Sequence, residues 1–245
     1  MEEQGKVPVT LAALCRMDPE FVGCLAEGRN TRSLLRVALG GILAGTIAYG
    51  AVFGWWRAPL QAVYSACKLP LLFLLVVAAS GVINTMLAQV MGARLGLKTV
   101  VLLMLVGMAV TALLLGALSP VVWFLVSAAP PPDPAVLGLD SHGVGASRSM
   151  GVYRVILVSH VAIIGACGIA GNARLYRMIR AVTGSGAMAG RLLLAWILVS
   201  GFVGCELSWL LSPYLCNPVT PPHIVNQQYF ESNFYEYVYH ALQGR

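Results

Sequence analysis

Residues 99–119 read TVVLLMLVGMAVTALLLGALS, a run without a single charged side chain. The uncharged stretch continues to residue 132, where Pro120 and then Pro130-Pro131-Pro132 indicate the exit from the membrane. A helix needs about 20 consecutive apolar residues to cross the hydrocarbon core of a bilayer. This run therefore predicts a transmembrane helix.

Four more runs of similar length lack charge, and one of them is interrupted only by Glu206. They cover residues 37–56, 69–93, 155–173 and 192–211. With flanking residues added, the predicted helices are at about 36–57, 62–92, 98–127, 151–180 and 188–212. The sequence thus predicts an all-α, polytopic integral membrane protein. Its parts are an N-terminal segment 1–35, a five-helix bundle 36–212 and a C-terminal segment 213–245.

The composition excludes several classes of protein. Only 11% of the 245 residues are charged, 58% are hydrophobic, and the mean hydropathy is +0.77. Soluble domains carry about a quarter charged residues, so a soluble enzyme or a disordered chain is excluded. The net charge of +6 reflects Lys and Arg that orient membrane helices rather than a nucleic-acid surface. The expected surroundings are therefore a lipid bilayer, with no nucleic acid.

The distribution of basic residues predicts the orientation. If the N-terminus is cytoplasmic, eleven of the 16 Lys and Arg residues fall on the inner side. The five on the outer side are Arg57, Lys68, Arg148, Arg154 and Arg245. Because cytoplasmic loops carry an excess of Lys and Arg, we expect the N-terminus inside and the C-terminus outside.

Two cytoplasmic segments have charge patterns of interest. Asp18-Pro19-Glu20 predicts the start of a short amphipathic helix that ends near Gly28. This helix either lies against the bundle or docks a partner subunit. Arg174, Arg177 and Arg180 lie at three-residue spacing near one helix face. They either enforce topology or contact lipid phosphate or an acidic partner.

The C-terminal segment combines prolines with aromatic residues. Four prolines keep residues 213–222 extended. A short helix over 229–242 is then predicted to carry an aromatic cluster of Tyr229, Phe230, Phe234, Tyr235, Tyr237 and Tyr239. Such a helix suits the membrane interface, where rings lie at the level of the headgroups. An anchor for a partner protein is the competing interpretation.

Ionisable residues inside a span are functional candidates. Lys68 lies near the outer start of the second predicted helix, and Glu206 lies about 9 Å inside the outer end of the fifth. Because both side chains lie at similar depth, we predict a structural Lys68–Glu206 ion pair. A proton or ion relay is the alternative role of that pair.

Other polar residues are predicted to bond between helices. These are His160, Asn84, Gln89 and Asn172. Close helix packing is suggested by small residues at four-residue spacing, in the pairs Gly41/Gly45, Gly50/Gly54, Gly92/Gly96 and Gly186/Gly190. Gly41, Gly45 and Tyr49 share one face of the first span, which suits contact with another helix.

No catalytic, cofactor or metal motif is present in the sequence. The six cysteines include no Cys-x-x-Cys pair, and there is no phosphate-binding loop and no His-Glu-x-x-His. We therefore expect no enzyme activity, no cofactor and no metal site.

Two stretches carry a resemblance. Lys68-Leu69-Pro70-Leu71-Leu72, with the helix that follows to Asn84, and Asn233-Phe234-Tyr235-Glu236 resemble segments of multi-span bacterial inner-membrane proteins. A cytoplasmic N-terminus followed by a compact bundle is similar to the organisation of Yip1-type five-span proteins. The resemblance implies location in the bacterial inner membrane. The long aromatic tail departs from the Yip1 pattern, and no site residue is implied.

The resulting expectation is a non-catalytic integral membrane subunit or scaffold of a larger complex, with other membrane subunits as partners. The alternative is a small transporter or channel that uses Lys68, Glu206, His160 and Asn84 along a pathway. A membrane-embedded enzyme is a second alternative.

Overall fold

The structure is a computed structural model that describes residues 10–16, 21, 23, 30–133, 144–224 and 233–236, without the side chains of 144–147. The described residues form helices and no strands. The helices are α1 (Leu11–Arg16), α2 (Thr31–Trp55), α3 (Pro59–Val90), α4 (Leu97–Ala128), α5 (Val144–Thr183) and α6 (Gly186–Leu210). Helices α2 to α6 are long and apolar enough to cross a membrane, so the predicted five-helix fold is confirmed.

The helices run beyond the charge-free sequence runs at several ends. Helix α2 begins at Thr31, before the predicted start, and thereby includes Arg32 and Arg36 in its first turns. Basic side chains can reach the headgroup region from a helix end, so a charge does not have to end the helix. Tight connections separate α3 from α4 and α5 from α6, where Gly92 and Gly184 take positive φ angles of 87° and 68°. These conformations favour glycine.

Helices α2, α3 and α4 form the buried centre of the bundle. Helix α2 packs along both α3 and α4. At its crossing with α4, a Cβ on Gly45 would overlap the main-chain carbonyl of Ala112. At its crossing with α3, a Cβ on Gly50 would come within 2.6 Å of the Ser65 carbonyl oxygen. The absence of side chains at these positions lets the backbones approach closely.

Helices α5 and α6 lie at the periphery. Helix α5 packs on α4, helix α6 packs on α3, and the two contact each other. Within an apolar 18-residue segment of each helix, 67% of the residues are buried in α4, but only 11% are buried in α5 and 17% in α6. The two peripheral helices therefore present most of their apolar surface outward.

Short segments lie at the two ends of the bundle. We call residues 211–224 the strap, and the end where they lie the strap end; α3 and α5 begin there. At the other end, the α1 end, Leu11 reaches Gly41 of α2, and Leu14 is fully buried. Most of the helix predicted from Asp18 to Gly28 lies outside the described residues; Phe21 is described and is buried.

Candidate functional site

The strap is held by one polar face of α3. Gln61, Ser65 and Lys68 are spaced by four and three residues, so they share a helix face. Gln61 Nε2 donates to the carbonyls of Pro213 and Tyr214, both at 3.1 Å, and the Ser65 hydroxyl also donates to the Tyr214 carbonyl. Lys68 Nζ donates to the Pro213 carbonyl at 2.8 Å. Because the strap is not helical, these buried carbonyls need such partners.

Arg57 and Trp56 extend this network at the strap end. Arg57 Nη2 donates to the Thr220 carbonyl at 2.6 Å, and Trp56 Nε1 donates to the Pro130 carbonyl at 2.9 Å. Burial raises the pKa of the Tyr214 phenol, which lies in the strap close to the ammonium of Lys68. The strap is therefore an integral part of the fold rather than a loose tail.

The predicted Lys68–Glu206 ion pair is replaced by two separate contacts. Lys68 is buried and bonds to the strap, whereas the Glu206 carboxylate accepts a hydrogen bond from the Phe234 N–H at 3.2 Å. The physical reason is that the chain after α6 folds back and offers main-chain groups to both side chains. A carbonyl satisfies the ammonium, and an amide satisfies the carboxylate.

Residues 233–236 form a helical turn that docks on α6. The Tyr235 hydroxyl donates to the Phe202 carbonyl at 2.7 Å, and the two rings stack with centroids 4.5 Å apart. Phe234 meets Trp209 edge-on at 6.4 Å. The pKa of Tyr235 is raised, first by burial and then by nearby Cys205 and Glu206. The other members of the predicted aromatic cluster lie outside the described residues; they are Tyr229, Phe230, Tyr237 and Tyr239.

His160 links α5 to α2, as expected for an interhelical polar residue. The Tyr49 hydroxyl and His160 Nδ1 are hydrogen-bonded at 2.9 Å. The imidazole also stacks on Phe53, with ring centroids 3.8 Å apart. Tyr49 lies on the same face of α2 as Gly41 and Gly45, the face that the sequence predicts to meet another helix.

A cavity of about 490 Å³ opens beside this histidine at the strap end. Helix α2 contributes Tyr49 and Phe53, and the end of α4 with the two residues after it contributes apolar residues between Val122 and Pro130. Helix α5 contributes one face from Arg148 to Ile163, including His160. Of the lining residues that the structure describes, only Arg148 is charged, and it is exposed.

A second polar cluster joins α3 to α6. The buried Asn84 donates from Nδ2 to the Ser200 hydroxyl at 3.1 Å, and the hydroxyls of Ser80 and Ser200 are 3.2 Å apart. Trp196 Nε1 donates to the main-chain carbonyl of Asn84 at 3.0 Å. This cluster fixes the position of α6 along α3.

Two of the predicted interhelical residues have other positions. Asn172 Nδ2 donates to the Gly168 carbonyl of its own helix at 2.9 Å, and Gln89 is exposed near the end of α3. An interhelical bond of either residue stays a prediction. A carbonyl one turn away, or the aqueous interface, satisfies an amide as well as a neighbouring helix does.

The three spaced arginines of α5 differ in their surroundings. Arg174 is half-buried, and its Nη1 donates to the Cys15 carbonyl at 2.9 Å, which ties α1 to α5. Arg177 and Arg180 are exposed. Contact of these arginines with lipid headgroups or an acidic partner stays a prediction.

Several residues that organise the site were not predicted from the sequence. Gln61 and Ser65 carry a readable signal, since they share a polar helix face with Lys68 in an otherwise apolar helix. Arg148 has no such signal in the sequence, because its position at the mouth of the cavity depends on the fold. Among the described residues, no group of three or more His, Cys, Asp or Glu side chains could hold a metal ion.

The intramembrane polar residues therefore lie in separate clusters that bond to the fold itself. His160 lines the cavity, whereas Lys68, Asn84 and Glu206 do not. The resemblance to Yip1-type proteins stays a prediction. Comparison with protein-family models, with curated proteins and with solved structures finds no match for this chain.

Proposed function

We propose that the protein is a non-catalytic integral membrane subunit, and that the outward face of α5 packs against another membrane protein. The observation that carries this proposal is the composition of that face. Its exposed residues between positions 154 and 173 include no Leu, Phe, Met or Trp. Five of the ten are small, namely Ala162, Gly165, Ala166, Ala170 and Ala173, and four are the β-branched residues Val155, Val158, Val161 and Ile169.

The outward face of α3 offers a contrast within the same chain. Its exposed residues between positions 60 and 86 include Leu, Ile and Met side chains such as Leu71, Ile83 and Met86, and only two alanines, Ala78 and Ala79. Large aliphatic side chains suit lipid tails, whereas small residues let two helix backbones approach closely. The outward face of α5 therefore has a larger share of small residues for a close helix–helix contact than the outward face of α3.

The bonding of the intramembrane polar groups supports a structural role. Lys68, Asn84 and Glu206 each bond to another part of the chain. A transport pathway needs polar groups that share a water-filled space. The cavity beside His160 is lined by none of the other three, so the subunit role has the better support.

We further propose that the protein lies in a bacterial cytoplasmic membrane with the α1 end inside. The loops and helix ends at the α1 end carry Arg94, Lys98, Arg180 and Arg191. This excess of basic residues is typical of the cytoplasmic side.

The partner proposal is tested by enlarging one small residue. A Cβ on Gly165 meets no atom of the described chain within 4 Å, so Gly165→Trp leaves the fold intact but blocks a close helix contact. The protein is purified in a mild detergent, and the mass of the complex is measured by native mass spectrometry. We expect a stoichiometric partner with the wild type and its loss with Gly165→Trp.

Val82→Trp on the outward face of α3 is the matched control, and we expect it to keep the partner. A wild-type protein that migrates as a monomer without a co-purifying chain contradicts the proposal. Equal loss of the partner in both variants also contradicts it, because the contact would then not be specific to α5.

A further inference from the structure

The cavity beside His160 has the shape of a groove along one face of α5. Its lining residues on α5 recur every three or four positions, from Arg148 to Ile163. Fifteen residues of helix correspond to about 22 Å, while one leaflet of the hydrocarbon core is about 15 Å thick. The groove thus runs from the strap end to beyond the depth of a single leaflet.

We propose that this cavity binds one acyl chain of an anionic amphiphile, with its carboxylate or phosphate paired to Arg148. The volume of about 490 Å³ lies within the range of ligand sites in proteins. Apart from Arg148, Ser159, His160 and Tyr49, the side chains that line it are apolar. An extended hydrocarbon chain matches that lining, and a bulky polar ligand does not.

Arg148 determines the sign of the head group. Among the described residues that line the cavity, Arg148 alone is charged, and it is exposed at the mouth, where a head group would meet water. Arginine binds carboxylate and phosphate through two parallel hydrogen bonds. Arg154, six residues further along α5, is also exposed but does not line the cavity, so it offers a matched comparison.

His160 adds a polar atom deeper in the groove. The residue is only 7% exposed, and its Nδ1 is bonded to the Tyr49 hydroxyl. Its other ring nitrogen, Nε2, has no hydrogen-bond partner among the described residues. Because the imidazole lines the cavity, this nitrogen can form a hydrogen bond with a polar group of the ligand. A chain that carries a hydroxyl about 18 Å from the head group, twelve helix residues from Arg148, would satisfy it.

The first experiment measures equilibrium binding to the protein in nanodiscs of zwitterionic lipid. The probes are oleate, oleyl alcohol and dioleoylphosphatidylglycerol, which share a chain but differ in their head group. We expect saturable one-to-one binding of oleate or of the phosphatidylglycerol, and at least about ten-fold weaker binding of the alcohol. Saturation by oleate identifies a free fatty acid as the source, and saturation by the phosphatidylglycerol alone identifies a phospholipid.

Two pairs of variants localise the binding. Arg148→Gln should weaken binding of the anionic probe about ten-fold or more, and Arg154→Gln should not change it. Gly151 lines the cavity with open space around it, so Gly151→Phe should fill the groove and abolish binding. Gly201→Phe, at a comparable position on α6, is its control. Equal binding of oleate and oleyl alcohol, or unchanged binding to Gly151→Phe, would overturn the proposal.

The role of His160 deeper in the groove is tested by the ratio of the affinities for a hydroxylated and an unmodified fatty acid. Wild-type protein should bind 15-hydroxystearate, whose hydroxyl lies about 18 Å from the carboxylate in the extended chain, several-fold more tightly than stearate, and His160→Phe should reduce that ratio to about one. Because both probes are measured on the same variant, a general loss of packing cancels in the ratio. A ratio of one in the wild type would overturn the role given to His160.

Discussion

Within the group α2, α3 and α4, helix α2 contacts the other two through glycines that face their backbones, whereas α5 and α6 join this group mainly through side chains. Gly171 of α5, which faces Thr111 and the Gly107 carbonyl of α4, is the exception. In the first group, Gly45 faces the main chain of α4, and Gly50 and Gly54 face that of α3. In the second group, Tyr49–His160 and Asn84–Ser200 provide polar links. Glycine positions on α5 and α6 such as Gly165 and Gly201 have open space around them.

The difference shows that one residue type serves two purposes in this chain. A glycine that faces a neighbouring backbone is part of the packed core. A glycine that faces outward leaves the helix backbone accessible to lipid or to another protein. The first kind of glycine therefore contributes to the stability of the bundle, and the second kind leaves surface open to lipid and protein partners.

The largest expected effect tests the backbone contact between α2 and α4. Because a Cβ at Gly45 overlaps the Ala112 carbonyl, Gly45→Ala should lower the free energy of unfolding by about 3 kcal/mol. Thermal unfolding in detergent measures this change. Gly165→Ala is the control, and it should be neutral or stabilising by up to about 1 kcal/mol through its better helix propensity. Similar losses in both variants would remove the distinction between the two groups of helices.

An intermediate effect tests how the strap holds the bundle together. Lys68→Met leaves the buried Pro213 carbonyl without its charged donor and should reduce stability by about 1.5–3 kcal/mol. In a double-mutant cycle with Glu206→Gln, the two effects should add, because the residues bond to different groups. A coupling energy above about 1 kcal/mol would contradict this and support the Lys68–Glu206 ion pair predicted from the sequence.

The smallest expected effect concerns the attachment of α6. Asn84→Ala removes the bond to Ser200 and should reduce stability by about 1 kcal/mol or less. The loss is limited because Asn84 Oδ1 is buried without a partner, and the substitution removes that unfavourable group too. Asn172→Ala, which removes a bond within α5, should have a smaller effect when measured in the same thermal assay. A larger loss for Asn172→Ala than for Asn84→Ala would mean that the polar contact between α3 and α6 contributes little to stability.

The helices could be predicted because bilayer thickness dictates a length and a polarity that are visible in sequence. The close packing at Gly41, Gly45, Gly50 and Gly54 was also suggested by spacing. The same spacing occurs at Gly92/Gly96 and Gly186/Gly190, where Gly92, Gly96 and Gly190 have no neighbouring atom within 4 Å of a Cβ. Spacing alone does not distinguish a crossing point from a turn.

The partners of the intramembrane polar residues could not be predicted for a different reason. Lys68 bonds to a carbonyl and Glu206 to an amide, and every residue supplies these main-chain groups. The sequence identifies side chains that need a hydrogen-bond partner. It does not show which backbone group the fold will place beside them. The cavity at Arg148 is equally invisible, since three helices from distant parts of the chain form it.

The contacts of the strap set an order of events during synthesis. The Lys68 ammonium and the Pro213 carbonyl that accepts its hydrogen bond are separated by 145 residues. At about 5–20 residues per second, the ribosome reaches Pro213 roughly 7–30 s after Lys68. Throughout that interval α3 is in the membrane with its polar face uncovered, and the nascent chain is most open to insertion-site chaperones and to membrane proteases. The polar face of α3 is therefore covered only after the strap has been synthesised.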